Sequence, residues 1–436
     1  MLLDCMVACQ DSCLRRLSEG NRAQEVGFHR LLANEKVTIE RLIEGWSEQT
    51  VSAVAGRHVL AIQDTSEIKF STTSKRQRGL GEVGKGGHSR GVLAHVMIAV
   101  DADSTNCLGL VAGSVYTRNG RVETPHAKRA LEDKESRRWI DTAIQAKTVL
   151  AKASTITVVA DRESDIYAEW ALLPGGNVHL LTRMMRDRAV RGGGTTSGVM
   201  AKLPFVATRK LDLLATHKRA ARSTEVSLRF GKVEVCRPDG PGAKGLAKTV
   251  SLTLVEAIEL HPPAGVEAVH WRLLTTHDVT DIATAWQIVD YYKRRWVIEQ
   301  LFRLMKTHGL RLEESQLASA EALIKLAAIA TKAAAVILQL VQARDGKAGE
   351  PASTAFSASD LNVLDGLAVK YEGRTALQKN PHSKHSLAWA TWLIARLGGW
   401  DGYPKSKPPG PITLRHGLER FRTISEGWLL RDMCMP

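Results

Sequence analysis

The spacing of apolar residues changes several times along the chain, and each change marks a different element. Up to about Gly45, Leu17, Val26, Leu31, Leu32, Ile39 and Leu42 are spread among many charged residues, which predicts a small helical unit. The run His58–Gln63 (HVLAIQ) is aliphatic and β-branched and stops at the polar Asp64-Thr65-Ser66, so it predicts a buried strand with Asp64 at its C-terminal end. Two more apolar runs, Val92–Val100 and Cys107–Tyr116, predict strands after a glycine-rich loop. Trp139, Ile140, Ala143, Ala146, Val149 and Leu150 share one broad face of a helix within Lys134–Ala153. Directly after it, Thr155–Ala160 (TITVVA) has almost no polar alternation, as expected of a central strand covered on both faces, and it ends on Asp161.

Two strands that each end in an aspartate, separated by hairpin strands and one helix, predict a mixed α/β sheet. If they are neighbours and parallel, both carboxylates leave the same sheet edge. From about 186 to 276 the pattern becomes β-rich, with runs at Glu225–Phe230, Lys232–Cys236, Thr249–Ile258 and His270–Thr275 broken by Pro238, Gly240, Pro241 and Pro262-Pro263. A long helix is predicted over Ile282–His308 and a second, apolar one over Ala320–Gln342. Helical segments divided by breaks such as Lys405–Pro411 complete the chain. There is no internal repeat.

Composition sharpens this picture. The chain has 436 residues, 60 basic and 46 acidic, for a net charge of +14 and a pI near 9.6, which favours a polyanionic partner. No stretch approaches the roughly 18 to 20 uninterrupted apolar residues of a membrane-spanning helix, and no secretory pattern opens the chain, so a cytosolic location is expected. The six cysteines form no paired C-x-x-C clusters; Cys5, Cys9 and Cys13 fall four apart and are expected to pack on one helix face.

Asp64 and Asp161 are each ordinary alone, since an aspartate after a strand is also a common turn former. The helix from Ile282 changes the balance. Tyr292, Arg295, Glu299 and Lys306 follow at steps of 3, 4 and 7 and share one face. A solvent-exposed pair of Arg295 and Glu299 is the plain alternative, but Trp296, Ile298, Leu301, Phe302, Leu304 and Met305 make much of this helix apolar. Three carboxylates from distant positions suit a pair of hard cations roughly 3.5 to 4 Å apart, one activating an attacking oxygen and one steadying a leaving oxygen in phosphodiester chemistry. Arg295, Lys306 and Tyr292 then fit phosphates flanking the scissile one.

The spacing Tyr-x2-Arg-x3-Glu-x6-Lys resembles the YREK signature of the IS-four family of bacterial insertion-sequence transposases, which includes Tn-five-like enzymes. AIQDTSE around Asp64 and VVADRESDIY around Asp161 resemble that family's two aspartate elements, and the similarity runs from about Glu19 through Gly399, including WRLLTT at Trp271 and ARLGG at Ala395–Gly399. The resemblance implies an RNase H-like mixed sheet core (51–345) with a β-strand insertion at about 186–276. It also implies an N-terminal helical DNA-binding region (1–50) and a C-terminal helical region (346–436) that pairs two subunits. It implies a DDE transposase acting on double-stranded DNA as a homodimer, in the bacterial cytoplasm at the nucleoid, with two Mg²⁺ or Mn²⁺ ions held by Asp64, Asp161 and Glu299. The reaction implied is cleavage at transposon ends, hairpin formation, hairpin opening and strand transfer, with no covalent enzyme intermediate.

By the same resemblance Arg183 contacts phosphate and Trp271 stacks on a base flipped from the duplex, although a strand tryptophan filling the core fits that position equally well. The loop Lys75–Arg90, with Lys75, Arg78, Lys85 and Arg90, is expected to grip DNA backbone; its GKGG lacks the full phosphate-loop pattern. Asp64 comes early compared with fuller family members, so part of the end-recognition region is expected to be missing. Two other readings stay open: a different RNase H-fold nuclease or resolvase, and a shortened, inactive regulator that dimerises with a full-length transposase.

Overall fold

A computed structural model describes residues 1–70, 79–84, 89–118, 120, 124–125, 128–213, 221–306, 309–347, 349–403 and 405–434. Five short helices come first: α1 (Leu2–Cys9), α2 (Leu14–Leu17), α3 (Arg22–Ala33), α4 (Ile39–Glu44) and α5 (Thr50–Ala53). Cys13 is not on the face that carries Cys5 and Cys9. α1 ends at Cys9, because Gln10 turns left-handed at φ 50, and Cys13 starts α2 instead.

The strands are β1 (His58–Phe70), β2 (Gly81–Val83), β3 (Ser89–Asp101), β4 (Cys107–Tyr116), β5 (Thr155–Ala160), β6 (Val178–Arg183), β7 (Ala207–Leu213), β8 (Arg222–Cys236), β9 (Thr249–Ile258) and β10 (His270–Thr275). They form one mostly antiparallel sheet in the order β2-β3-β1-β5-β6-β10-β9-β8-β7, with β4 also on β3. The pairs β1–β5 and β5–β6 are parallel. This mixed α/β architecture is compatible with an RNase H-like transposase domain. The β-rich segment 186–276 continues the same sheet, since β10 pairs with β6. The two runs expected at Glu225–Phe230 and Lys232–Cys236 are one strand, and Gly231 does not interrupt its pairing with β9.

β1 is twice as long as its apolar run predicts, so Asp64 is inside a strand and not at its end. The first half is covered on both sides by β3 and β5 and is continuously apolar. After Ile62 the partner β5 stops while β3 continues, and the sequence switches to alternation: Ser66, Ile68 and Phe70 face inward, with Glu67 and Lys69 outward.

Helices cover both faces of the sheet. On one side Val59, Ala61, Ile156 and Val158 pack with α6 (Arg137–Val149), α7 (Tyr167–Leu172) and α8 (Thr196–Lys202). On the other, Leu60, Ile62, Val159 and Leu181 meet α9 (Ile282–Arg294), α10 (Trp296–Met305), α11 (Ala320–Ala343) and the N-terminal helices. The side-chain period of two along each strand produces this division. The single helix expected over 282–308 is interrupted at Arg295, whose N–H bonds three residues back to the Tyr292 carbonyl, and it ends at Met305.

α11 has the length and composition of a membrane-crossing helix, an exception to the reading that no stretch approaches one, because so few polar residues interrupt it. Yet 83% of its most apolar window is buried within the protein. Trp46 ties the N-terminal helices to it by donating from Nε1 to the Ala328 carbonyl at 3.1 Å. Gly113 of β4 lets the indole come that close, since a Cβ there would stand 2.9 Å from Trp46 and 2.3 Å from the His95 carbonyl. The C-terminal helices α12 (Ala358–Tyr371), α13 (Leu387–Leu397) and α14 (Pro411–Cys434) form a third apolar cluster with the end of α11 and with α1.

Candidate active site

The last parallel pair between β1 and β5 is Ile62 with Val159. Two residues further along the chain come Asp64, still within β1, and Asp161, the first residue after β5, so the aspartates stand at equivalent offsets from the last β1–β5 pair. β5 and β6 pair up to Ala160 with Thr182, which leaves Arg183 as the next residue beside Asp161. Glu299 comes from α10, which packs on β1. Asp64, Asp161 and Glu299 all line one open cleft of about 850 Å³, together with Glu67, Glu163 and Lys306.

Arg295 sits between two of the acids. Its guanidinium donates to Asp64 Oδ2 at 2.9 Å and to Glu299 Oε1 at 3.2 Å, with the Arg295 and Asp64 side chains only 14% and 13% exposed. Burial pushes the Asp64 carboxyl up to about 7, Arg295 opposes that shift, and Asp161 and Glu299 add to it. Burial thus outweighs the Arg295 charge, and Asp64 stands where further positive charge would favour its ionised form.

The aromatic and basic residues expected around the acids fall into two groups. Tyr292 is buried, and Arg183 is hydrogen-bonded to it while also donating to the His270 carbonyl at 2.8 Å. Trp271 meets the Tyr292 ring edge-on at 6.1 Å between centroids. Its ring is half-buried and packed on the core, so it is neither a free platform nor a fully enclosed core residue. Lys306 lies one residue past the end of α10 and still lines the cleft; burial holds its amine below the usual range, and Glu313 opposes this most strongly. Arg90 is elsewhere: it begins β3, is paired with Glu82 at 3.3 Å and does not line the cleft. Lys75, Arg78 and Lys85 lie outside the described residues.

Several residues that matter here are not legible from spacing. Asp161 accepts the N–H of Glu163 at 2.8 Å and opens a 3₁₀ turn, Arg162–Ser164. Glu163 enters the cleft, where burial and then Asp161 raise its carboxyl above the usual range. Asp165 points the opposite way. Buried, it accepts the N–H groups of Met185 and Arg186, each at 2.7 Å, and pairs with the Arg188 guanidinium at 2.5 Å. The element DRESD thus contains one aspartate for the cleft and one for the scaffold. His95, beside the cleft on β3, bonds the Thr65 hydroxyl through Nδ1 at 2.8 Å, and burial pushes it down to about 3, so it is neutral.

Among the described residues no three carboxylate, thiolate or imidazole side chains stand close enough together to form a finished metal cage. The donor chemistry nonetheless fits a hard divalent cation: the cleft offers carboxylate oxygens and no thiolate, and the buried Asp64 is already countered by a cationic side chain. Among known protein families, the one described as a transposase DDE domain matches residues 64–333, a span that starts at Asp64, includes Asp161 and Glu299 and runs into α11.

Proposed function

This chain belongs to the transposase DDE-domain family, and from that premise we propose that it is a cut-and-paste DNA transposase of the IS-four type, with Asp64, Asp161 and Glu299 as its catalytic acids. The observation that carries the assignment is that Asp64 and Asp161 each follow the last β1–β5 pair by two residues and line one cleft with Glu299. The three carboxylates would hold two Mg²⁺ or Mn²⁺ ions, which when bound supply an activated attacking oxygen and a stabilised leaving oxygen.

The remaining steps are assigned to the chain's own groups. Arg295 can fork two oxygens of a phosphate next to the scissile one, and doing so frees Asp64 and Glu299 from its guanidinium. Arg183 and Lys306 would hold the backbone on either side, and Arg90 would contribute charge further out, with Lys75, Arg78 and Lys85 as further candidates for backbone contact from the sequence alone. Hydrolysis at the element's end leaves a 3′-hydroxyl and a 5′-phosphate. That hydroxyl then attacks the phosphodiester of the opposite strand, displaces the flanking DNA and closes a hairpin. Reopening of the hairpin and attack on target DNA complete the transfer. Trp271 would receive the base extruded at the tight hairpin, replacing part of the stacking it loses. The partner is double-stranded DNA, two copies of the chain would act on a pair of ends through the C-terminal helices, and the setting would be the bacterial cytoplasm.

Incubating the purified chain and Mg²⁺ with a labelled duplex that spans the end of its own element tests the reading. A nick at the end followed by a hairpin is expected. Binding without cleavage in either Mg²⁺ or Mn²⁺ would reject the assignment.

A further inference from the structure

Gln63 immediately precedes Asp64 on β1, and Ser164 lies three residues after Asp161 at the end of the 3₁₀ turn. Both side chains are removed from solvent, and both reach one residue of α7: Gln63 Nε2 donates to Glu169 Oε1 at 2.9 Å, and the Ser164 hydroxyl donates to Glu169 Oε2. Glu169 is itself 1% exposed. We infer that Glu169 is a positioning residue: a buried tie that fixes the offset between Asp64 and Asp161 by joining the two segments that carry them. The inference rests on the proposal that these aspartates are the metal-binding acids.

α7 is a firm anchor for such a tie. Trp170, the next residue, donates from Nε1 to Thr182 Oγ1 of β6 at 3.0 Å, and Asp165, just before α7, is held by Arg188. β1, β5 and β6 are thus referenced to one short helix on the face of the sheet away from α10. The β1–β5 pairing ends at Ile62 and Val159; beyond it β1 continues on β3 and β5 on β6, so no β1–β5 ladder bond fixes the offset of Asp64 from Asp161. Groups that orient metal ligands from behind commonly set metal affinity without touching the ion. Burial raises the Glu169 carboxyl to about 8, with Asp165 adding to the shift against the hydrogen bonds from Ser164 and Gln63. When the carboxyl is protonated, its O–H reverses the Ser164 bond and donates to Ser164 Oγ while the other oxygen still accepts from Gln63 Nε2, a donor-and-acceptor pair that a glutamine reproduces and a methionine of similar length does not.

The test compares Glu169→Gln with Glu169→Met in the full chain bound to duplex DNA. Site-specific Mn²⁺ uptake is read from the electron paramagnetic resonance of the free ion, with Asp64→Ala as the baseline. Glu169→Gln is expected to bind within about twofold of wild type, and Glu169→Met about tenfold more weakly. Nicking should require a correspondingly higher Mg²⁺ concentration in the Met variant alone. If Glu169→Met does not fold, Ser164→Ala and Gln63→Met each cut one arm and should each weaken Mn²⁺ uptake. Wild-type uptake in the Met variant, or in both single-arm variants, overturns the tie, as does a Gln variant as weak as Met. If Asp64→Ala takes up as much Mn²⁺ as wild type, the metal-site proposal itself has failed.

Discussion

Asp161 and Asp165 stand four residues apart in one motif, yet replacing them should have opposite consequences. Asp165→Ala removes the partner of Arg188, whose side chain is only 8% exposed, and strips the acceptor from the N–H groups of Met185 and Arg186. Breaking a buried pair from one side leaves an uncompensated charge, which costs about 3–5 kcal/mol. Arg188 retains its bond to the Asp165 main-chain carbonyl and a softer contact, its guanidinium lying 4.6 Å above the Trp170 ring, which places the expected loss toward the lower end of that range. Asp161→Ala loses only a solvent-exposed cap on Glu163, worth about 1 kcal/mol, and it also relieves repulsion with Glu163. Urea denaturation followed by far-ultraviolet circular dichroism therefore should show Asp165→Ala destabilised by about 3 kcal/mol or more and Asp161→Ala close to wild type. Equal losses, or a stable Asp165→Ala, would refute the division of the motif into a cleft aspartate and a scaffold aspartate.

Two further outcomes follow from the geometry. Trp271→Ala should accumulate nicked DNA ends while its hairpin yield falls; a stability loss of about 3–5 kcal/mol with nicking and hairpin formation equally impaired would instead identify a core residue. Glu169 keeps its proton to about pH 8 in the folded chain but releases it near its ordinary value of 4.5 when unfolded. The folded state then binds the extra proton between those limits, so wild-type stability should fall relative to Glu169→Gln as pH rises from 5 to 8, by up to about 1.4 kcal/mol per unit. Urea melts of both proteins across that range check this, and a constant difference would mean that Glu169 is already ionised.

The strand before Asp161 and the apolar helix that carries Glu299 are legible in the sequence because each follows a strong pattern. The run TITVVA is β-branched and almost without polar alternation, which predicts a covered strand, and Asp161 follows its end. The end of β1 was misplaced for the reverse reason: Asp64-Thr65-Ser66 has turn composition, but the hydrogen bonds that keep this segment extended come from β3, about thirty residues away. Alternation at Ser66, Ile68 and Phe70 was the available signal. Spacing placed Arg295 beside Glu299, but its bond to Asp64 depends on how α10 crosses β1, a tertiary relation that no periodicity carries. The same holds for Glu169, a single carboxylate among the apolar residues of YAEWAL, to which only the fold brings Gln63 and Ser164. The 186–276 segment was rightly seen as β-rich, whereas its continuity with the central sheet follows from the pairing of β10 with β6.

Asp64, Asp161 and Glu299 are proposed to act together in cleavage and to be dispensable for holding DNA. Single-turnover nicking and equilibrium binding of a terminal duplex, measured side by side for Asp64→Ala, Asp161→Ala and Glu299→Ala in Mg²⁺, test this most directly. Each variant should bind DNA about as tightly as wild type, because a surface of many phosphate contacts outweighs any one of these acids, and each should fail to nick. Nicking at a rate near wild type by any of the three would remove that residue from the site and contradict the account.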